Sequence, residues 1–462
     1  MRGARMFRLA AGAALMLSVA LPAAADSLAD TMVAAYRHSA LIEKNRAVLR
    51  AADEDVANAV AQLRPILQWA LEYSVEHTEG RDTVRSGSLS LGAEMVLYDW
   101  GRSQIAIDAA KEQVLATREA LVGVEQDILL AAASSYFGIL QAQEQVALQL
   151  NSVEVLERVR QAAQDRFDVG ELTRTDVSLA DAQLAATRAT LATAEGDLQI
   201  ARENYLAVTG RRAGSLDRPP PLPQRPASVD AARAVAQKTH PLILQAQRQA
   251  AVSELGVAAA AAERRPSLTA NAGLGIGRSP DGGGQYDNRI GASASLELAQ
   301  PLYTGGRLSS AYRKSMALRD DARSSLLNAS RQISLEVGEV WANIDVARAQ
   351  IGAIDTRIVA AQQAYDGVRE EALLGARTTL DVLDAEQSLL EARAEKIVAQ
   401  SNLQLAHYQL LAAMGLLTVE HLKLGIPTYD PSQYYNAVRD APYTSTQGES
   451  LDRVLRAIGR GN

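Results

Sequence analysis

The sequence predicts a membrane α/β-barrel in which each chain supplies four transmembrane β-strands and a set of long antiparallel α-helices. Three observations carry that expectation. The chain is an internal duplication. Each copy holds an isolated pair of alternating segments long enough to cross a bilayer, and each pair is followed by a proline-free helical pattern far longer than a bilayer is thick.

The duplication is read from a constant spacing. Leu97, Tyr98, Gly101 and Arg102 recur as Leu302, Tyr303, Gly306 and Arg307, Gly170, Thr173 and Asp176 recur as Gly375, Thr378 and Asp381, and Gly210 recurs as Gly415, all 205 residues apart. The expected organisation is a signal peptide at 1–25, a first repeat at 26–216, a proline-rich linker at 217–227, a second repeat at 228–417 and an irregular tail at 418–462.

Composition narrows the class. With 47% hydrophobic residues the 462-residue chain has enough apolar surface for a packed fold, and only 4% aromatics beside abundant alanine favours helices packed closely through small side chains. A net charge of -7 and a pI near 5.5, with no basic block, exclude nucleic acid as the main partner. Cysteine is absent, which excludes disulfides, thiolate metal sites, a cysteine nucleophile and a lipidated cysteine anchor. Arg2, Arg5 and Arg8 precede an apolar run from Leu9 to Leu21 and then Pro22 and Ala23 to Ala25, the pattern of a cleaved secretory signal. Nothing later supplies about twenty consecutive apolar residues, so a mature chain that enters a membrane does so as a barrel.

In chain order, one helix is expected from Ser27, as its cap, to Arg64, where Pro65 stops it, and its counterpart from Ser228 to Arg265 before Pro266. Hairpins follow at 66–98 and 267–302. Leu67, Trp69, Leu71, Tyr73 and Val75 alternate with polar or small residues, as do Leu89, Leu91, Ala93, Met95 and Leu97, and the second copy repeats the period from Leu268 and from Ile290. A half-buried soluble sheet has the same period, but these pairs stand alone between helices behind an export signal. Four strands cannot close a membrane barrel, so closure needs several chains.

Helical patterns then run from Ser103 to Phe167 and from Leu308 to Leu374, close to 100 Å each at about 1.5 Å per residue. Returning helices run from Thr173 to Thr209 and from Thr378 to Met414, capped by Gly210 and Gly415. The linker DRPPPLPQRP reads as an extended spacer, and the tail shows no sustained period beyond a short helix at Leu451 to Ile458.

The turns between long helices, near 168–176 and 373–381, carry the functional signal. Gly170 and Gly375 suit the left-handed position that ends a helix, and Thr173-x-x-Asp176 and Thr378-x-x-Asp381 fit the capping box that starts the next. Architecture thus accounts for Asp176 and Asp381 but leaves Asp384, three residues beyond Asp381 on the same helix face. If several chains meet at this turn the carboxylates form a ring, raise one another's pKa and attract cations. Arg377 is then placed to pair with Asp176 of a neighbouring hairpin.

GARTTLDVLDA, Gly375 to Ala385, resembles the second hairpin tip of the TolC family of trimeric outer-membrane efflux and secretion channels, and VGELTRTDV, Val169 to Val177, resembles the first. The order of repeats, strand pairs, long helices and turns is similar across nearly the whole mature chain. The resemblance implies a homotrimer with a 12-stranded barrel in outer-membrane lipid and 12 helix strands around a periplasmic tunnel. A ring of helices about 9 Å apart is then roughly 35 Å across. It also implies a periplasmic adaptor and an inner-membrane ABC transporter or other efflux pump as partners. Residue by residue, Asp381 and Asp384 match the aspartates of the aperture, Arg377 the closing arginine, Thr175 and Asp176 its partners, and Gly170 and Gly375 the turns at which an adaptor docks. Where a member of the family has a latch tyrosine this chain has Ala372, which implies a weaker latch. The missing cysteine anchor and the DVLDA tip lean towards the type I secretion branch.

His38, His77, His240, His407 and His421 are scattered, no nucleophile elbow or P-loop is found, and GLGIG at Gly273 to Gly277 lies in a strand pattern without a following helix. No catalytic residue, metal or cofactor is expected. The alternative is a periplasmic coiled-coil structural or adaptor protein with a soluble sheet.

Overall fold

The computed structural model describes residues 26–440, apart from 78, 80–82, 281–285 and 428, together with 453. The signal peptide, and the helix expected at Leu451 to Ile458 except for Arg453, lie outside the described residues. The first half runs α1 (Leu28–His38), α2 (Ala40–Ala61), β1 (Ile66–Glu76), β2 (Val84–Tyr98), α3 (Arg102–Asp168) and α4 (Arg174–Thr209). The second repeats the order as α5 (Val229–Thr239), α6 (Pro241–Ala262), β3 (Ser267–Pro280), β4 (Tyr286–Ala299), α7 (Arg307–Leu373) and α8 (Thr379–Ala413), and α9 (Pro431–Val438) follows. Helices α3 and α7 have 67 residues each, about 100 Å of rise. No described helix is long and apolar enough to cross a membrane.

The helix expected from Ser27 to Arg64 is two helices. Ser39 leaves the helical region at ψ 113, ends α1, and caps α2 by accepting from the Ile42 amide. His240 does the same at ψ 124, where Pro241 excludes helical backbone from the preceding residue. The two breaks lie against the ends of the returning helices. A Cβ on Gly210 (φ 73) would sit 2.4 Å from the His38 ring, and one on Gly415 (φ 74) 2.5 Å from the Thr239 carbonyl oxygen. Glycine is needed at both for conformation and for space.

Around these junctions lies the main core. Met32, Leu129, Tyr136, Ile333, Val337 and Leu410 pack through fully buried Ala35, Ala132, Ala133, Ala232 and Ala236, the close packing through small side chains that the composition implied. The proline-rich linker is held against this core rather than spanning freely. Arg225 pairs with Asp345 at 2.6 Å and lies over the Trp341 ring, and the Pro223 carbonyl is 3.1 Å from His407 Nδ1.

The tail also departs from expectation. Val419 donates its amide to Glu125 at 2.7 Å, Arg118 donates to the Pro431 carbonyl, and the Tyr434 hydroxyl donates to Glu54 at 2.6 Å. The described residues between 418 and 440 thus strap α2 and α3, through prolines and tyrosines whose spacing has no helical or strand period.

The four strands form one antiparallel sheet in the order β1-β2-β3-β4, with β4 ending at Ala299, short of the expected 302. Its register sorts the faces. Leu71, Leu89, Ile276 and Ile290 form one cross-strand row, and Trp69, Leu91, Leu274 and Ala292 the next. The opposite face carries Glu72, Ser88, Gly277 and Arg289, then Ala70, Ser90, Gly275 and Gly291. Trp69, Leu71 and Ile290 are 71%, 72% and 84% exposed, so no described element covers the apolar face as a soluble sheet requires.

Candidate functional site at the helical tips

Both tips are built alike. In the first, the Gly170 amide donates to the Phe167 carbonyl and the Glu171 amide to that of Arg166, with Gly170 at φ 82. In the second, Gly375 (φ 79) donates to Ala372 and Ala376 to Glu371. This pair of bonds closes a helix with a left-handed residue. Space around both glycines is open, so conformation alone calls for glycine there.

The next helix starts from a reciprocal cap. Asp176 Oδ2 accepts from the Thr173 amide at 3.0 Å and its hydroxyl at 2.7 Å, while the Asp176 amide donates back to Thr173 Oγ1. Asp381 Oδ2 accepts from Thr378 at 2.9 and 2.8 Å in the same way. These bonds favour the ionised forms. Thr173 holds the Asp176 carboxyl below the usual carboxylate range, with a further contribution from Arg166, and Thr378 does so for Asp381, helped by Arg377. Within a chain, then, the cap lowers the Asp381 carboxyl, whereas the upward shift was expected of a ring of several chains.

The other tip residues divide between engaged and free. Arg377 Nε pairs with Glu371 Oε2 at 2.7 Å, so inside one chain its partner is Glu371 and not Asp176. Thr175 in the first turn of α4 and Asp384 in the second turn of α8 are exposed. The Asp384 carboxylate enters no hydrogen bond or ion pair among the described residues, which leaves it freer than Asp381.

Several contacts that join the two hairpins were not anticipated. Arg166 Nη1 donates to the Ala372 carbonyl at 3.1 Å, Gln183 to Gln387 at 3.2 Å, and Ser152 to Glu386 at 3.0 Å. Leu156, Leu184 and Leu383 form a small buried cluster beside them. For Glu386 a signal was present: it occupies a buried position in the apolar stripe Val382, Leu383, Leu389, Leu390 of α8. For Arg166, whose acceptor is main chain, there was none.

Comparison with known proteins agrees with this construction. A family model described as "Outer membrane efflux protein" matches residues 33–211 and again 232–416. The chain is 32% identical over 421 residues to the outer membrane efflux protein BepC of Brucella suis, covering 90% of this chain and 91% of that protein. It is 26% identical to the outer membrane protein TolC of Escherichia coli, covering 86% and 84%. The solved outer membrane protein VceC of Vibrio cholerae superposes with a TM-score of 0.73 at 22% identity over 84% of this chain and 96% of that one, a likeness of fold. Strand register, long helical hairpins and both family matches converge, and the chain belongs to the outer membrane efflux protein family, the TolC-like channels of the outer membrane whose helices lie on the periplasmic side.

Proposed function

We propose that three copies of this chain form a channel-tunnel that carries cargo delivered by an inner-membrane pump across the periplasm and the outer membrane. The observation that carries this reading is the sheet. It is apolar on one face, small and polar on the other, and open at β1 and β4, so that joining copies edge to edge satisfies the strand hydrogen bonds and encloses a polar lumen. Three copies give twelve strands and twelve helix strands.

The tips are the gate, and their acidic side chains the aperture. Asp384 is the main contributor because Asp381 is bound as a cap, and Arg377 can exchange Glu371 for Asp176 and Thr175 of a neighbouring copy when the gate closes. The Gly170 and Gly375 turns present the surface for a periplasmic adaptor. Energy comes from an ABC transporter or another pump, and the cargo is a polypeptide or a small molecule.

Conductance in planar bilayers tests this. The purified protein should form cation-selective channels blocked by multivalent cations from the tip side. Asp384→Ala should relieve the block more than Asp381→Ala, and the double variant should abolish it. Block unchanged in the double variant removes these residues from the aperture.

A further inference from the structure

The seam between the two hairpins of one chain contains a carboxyl group that the aperture does not use. Glu386 lies on α8, beyond Asp381 and away from the tip, and is 6% exposed. Its Oε1 accepts from Ser152 Oγ of α3 at 3.0 Å, and its Oε2 accepts from nothing. One turn before Ser152 on α3, Gln149 is 4% exposed and its Oε1 also lacks a donor. Leu156, Leu184 and Leu383 seal the seam on the tip side, and Tyr365 of α7 packs with Leu389 beside it.

Two buried acceptors without donors on facing helices are costly, and an ionised carboxylate there costs more. One proton on Glu386 removes the charge and supplies a donor to the seam. The surrounding groups do not neutralise the charge another way. Arg393, on α8 itself, acts on Glu386 but donates its Nη2 to Gln362 at 2.7 Å. Arg158 of α3 and Arg369 of α7 act on the neighbouring Tyr365, Gln183 of α4 is neutral, and Arg188 of α4 pairs with Glu157 of α3 at the surface.

We propose that Glu386 is a proton-controlled clasp between the two hairpins of each chain: neutral, it holds α8 to α3, and ionised, it loosens the seam and favours separation of the tips. This rests on the reading of the tips as the gate. Burial pushes the closed-state carboxyl above the ordinary glutamate value, while separation of the hairpins readmits water and returns it to that value. Opening therefore releases a proton. The clasp is complete below the ordinary value and is lost as pH rises through the raised one, by up to about tenfold per pH unit and per chain in the closed-to-open ratio.

The test is planar-bilayer conductance of the full-length protein between about pH 4.5 and 8. Wild-type conductance should rise with pH. Glu386→Gln, which keeps shape and hydrogen bonding, should stay low across the range, with multivalent-cation block retained as proof of an intact gate. Ser152→Ala, which removes the hydrogen bond from α3 to Glu386, weakens the closed seam and should move the conductance midpoint to lower pH. A wild-type slope surviving in Glu386→Gln overturns the clasp, as does a slope lost in Asp381→Asn/Asp384→Asn but kept in Glu386→Gln. No conductance from the wild-type protein at any pH overturns the channel reading and the clasp with it.

Discussion

Arg166 of the first hairpin donates through Nη1 to the carbonyl oxygen of Ala372 on the second at 3.1 Å, while its Nε pairs with Glu171 at 3.1 Å in its own turn. Family resemblance assigns Ala372 the place of a latch side chain. Here that position contributes a main-chain oxygen instead, and it accepts a hydrogen bond from the opposite hairpin.

Arg166→Ala should therefore loosen the tips. A charged hydrogen bond and a half-exposed ion pair together contribute about 1–2 kcal/mol, roughly 5–30-fold in the closed-to-open ratio. Single-channel conductance should rise, and Arg166→Lys, which keeps the charge without the fork, should fall between. Conductance equal to wild type in both variants would remove Arg166 from the latch.

Arg377 and Glu371 give a paired prediction of opposite sign. With the tips as the proposed gate, Arg377→Ala should increase conductance. Glu371→Gln releases Arg377 from its 2.7 Å partner within the chain and should decrease conductance, because the guanidinium becomes free for the neighbouring tip. A change of the same sign in both variants contradicts an exchange of partners.

The strap formed by the tail has its own pH dependence. Asp53 is fully buried beneath it, accepts no hydrogen bond, and is pushed up to about 6 by burial, with Arg118 opposing the shift and Glu54 adding to it. Arg46 lies over the Tyr429 ring and Arg118 over that of Tyr435, both on the tail. A carboxyl raised in the folded state binds more protons there, so stability falls as pH rises from about 4 to 6 and is level above. Asp53→Asn should raise stability above about pH 7 by up to about 3 kcal/mol, with little effect near pH 4. Protease release of the tail, followed against pH, measures this. A variant with the wild-type pH profile would clear Asp53 of that role.

Two glycine substitutions separate conformation from space. Gly170→Ala meets no neighbour and should cost about 1 kcal/mol for its left-handed backbone alone. Gly415→Ala adds a collision with the Thr239 carbonyl at 2.5 Å and should cost about 2–4 kcal/mol, seen as a lower unfolding temperature. Equal costs would show that the junction between α8 and α5 yields.

The sheet, long helices and turns were legible because each leaves a local signature. Period-two alternation fixes which face of β1 to β4 is apolar, Thr173 and Thr378 declare their helices three residues ahead of Asp176 and Asp381, and the 205-residue spacing transfers the inference about the turns between copies. The breaks at Ser39 and His240 were obscured because apolar spacing continues through them, although Ser39 and Pro241 were the usable signs. Partners were least legible. Arg166 meets a main-chain oxygen, Arg377 has Glu371 within its own turn, and the strap depends on tyrosines and arginines brought together only by the fold.

Extraction and native mass measurement test the central claim most directly. Taken from outer membranes in mild detergent, the protein should have the mass of three mature chains, resist dissociation until heated, and be absent from the soluble periplasm. Recovery as a single chain from the periplasm without detergent would contradict a shared barrel and the gate built upon it.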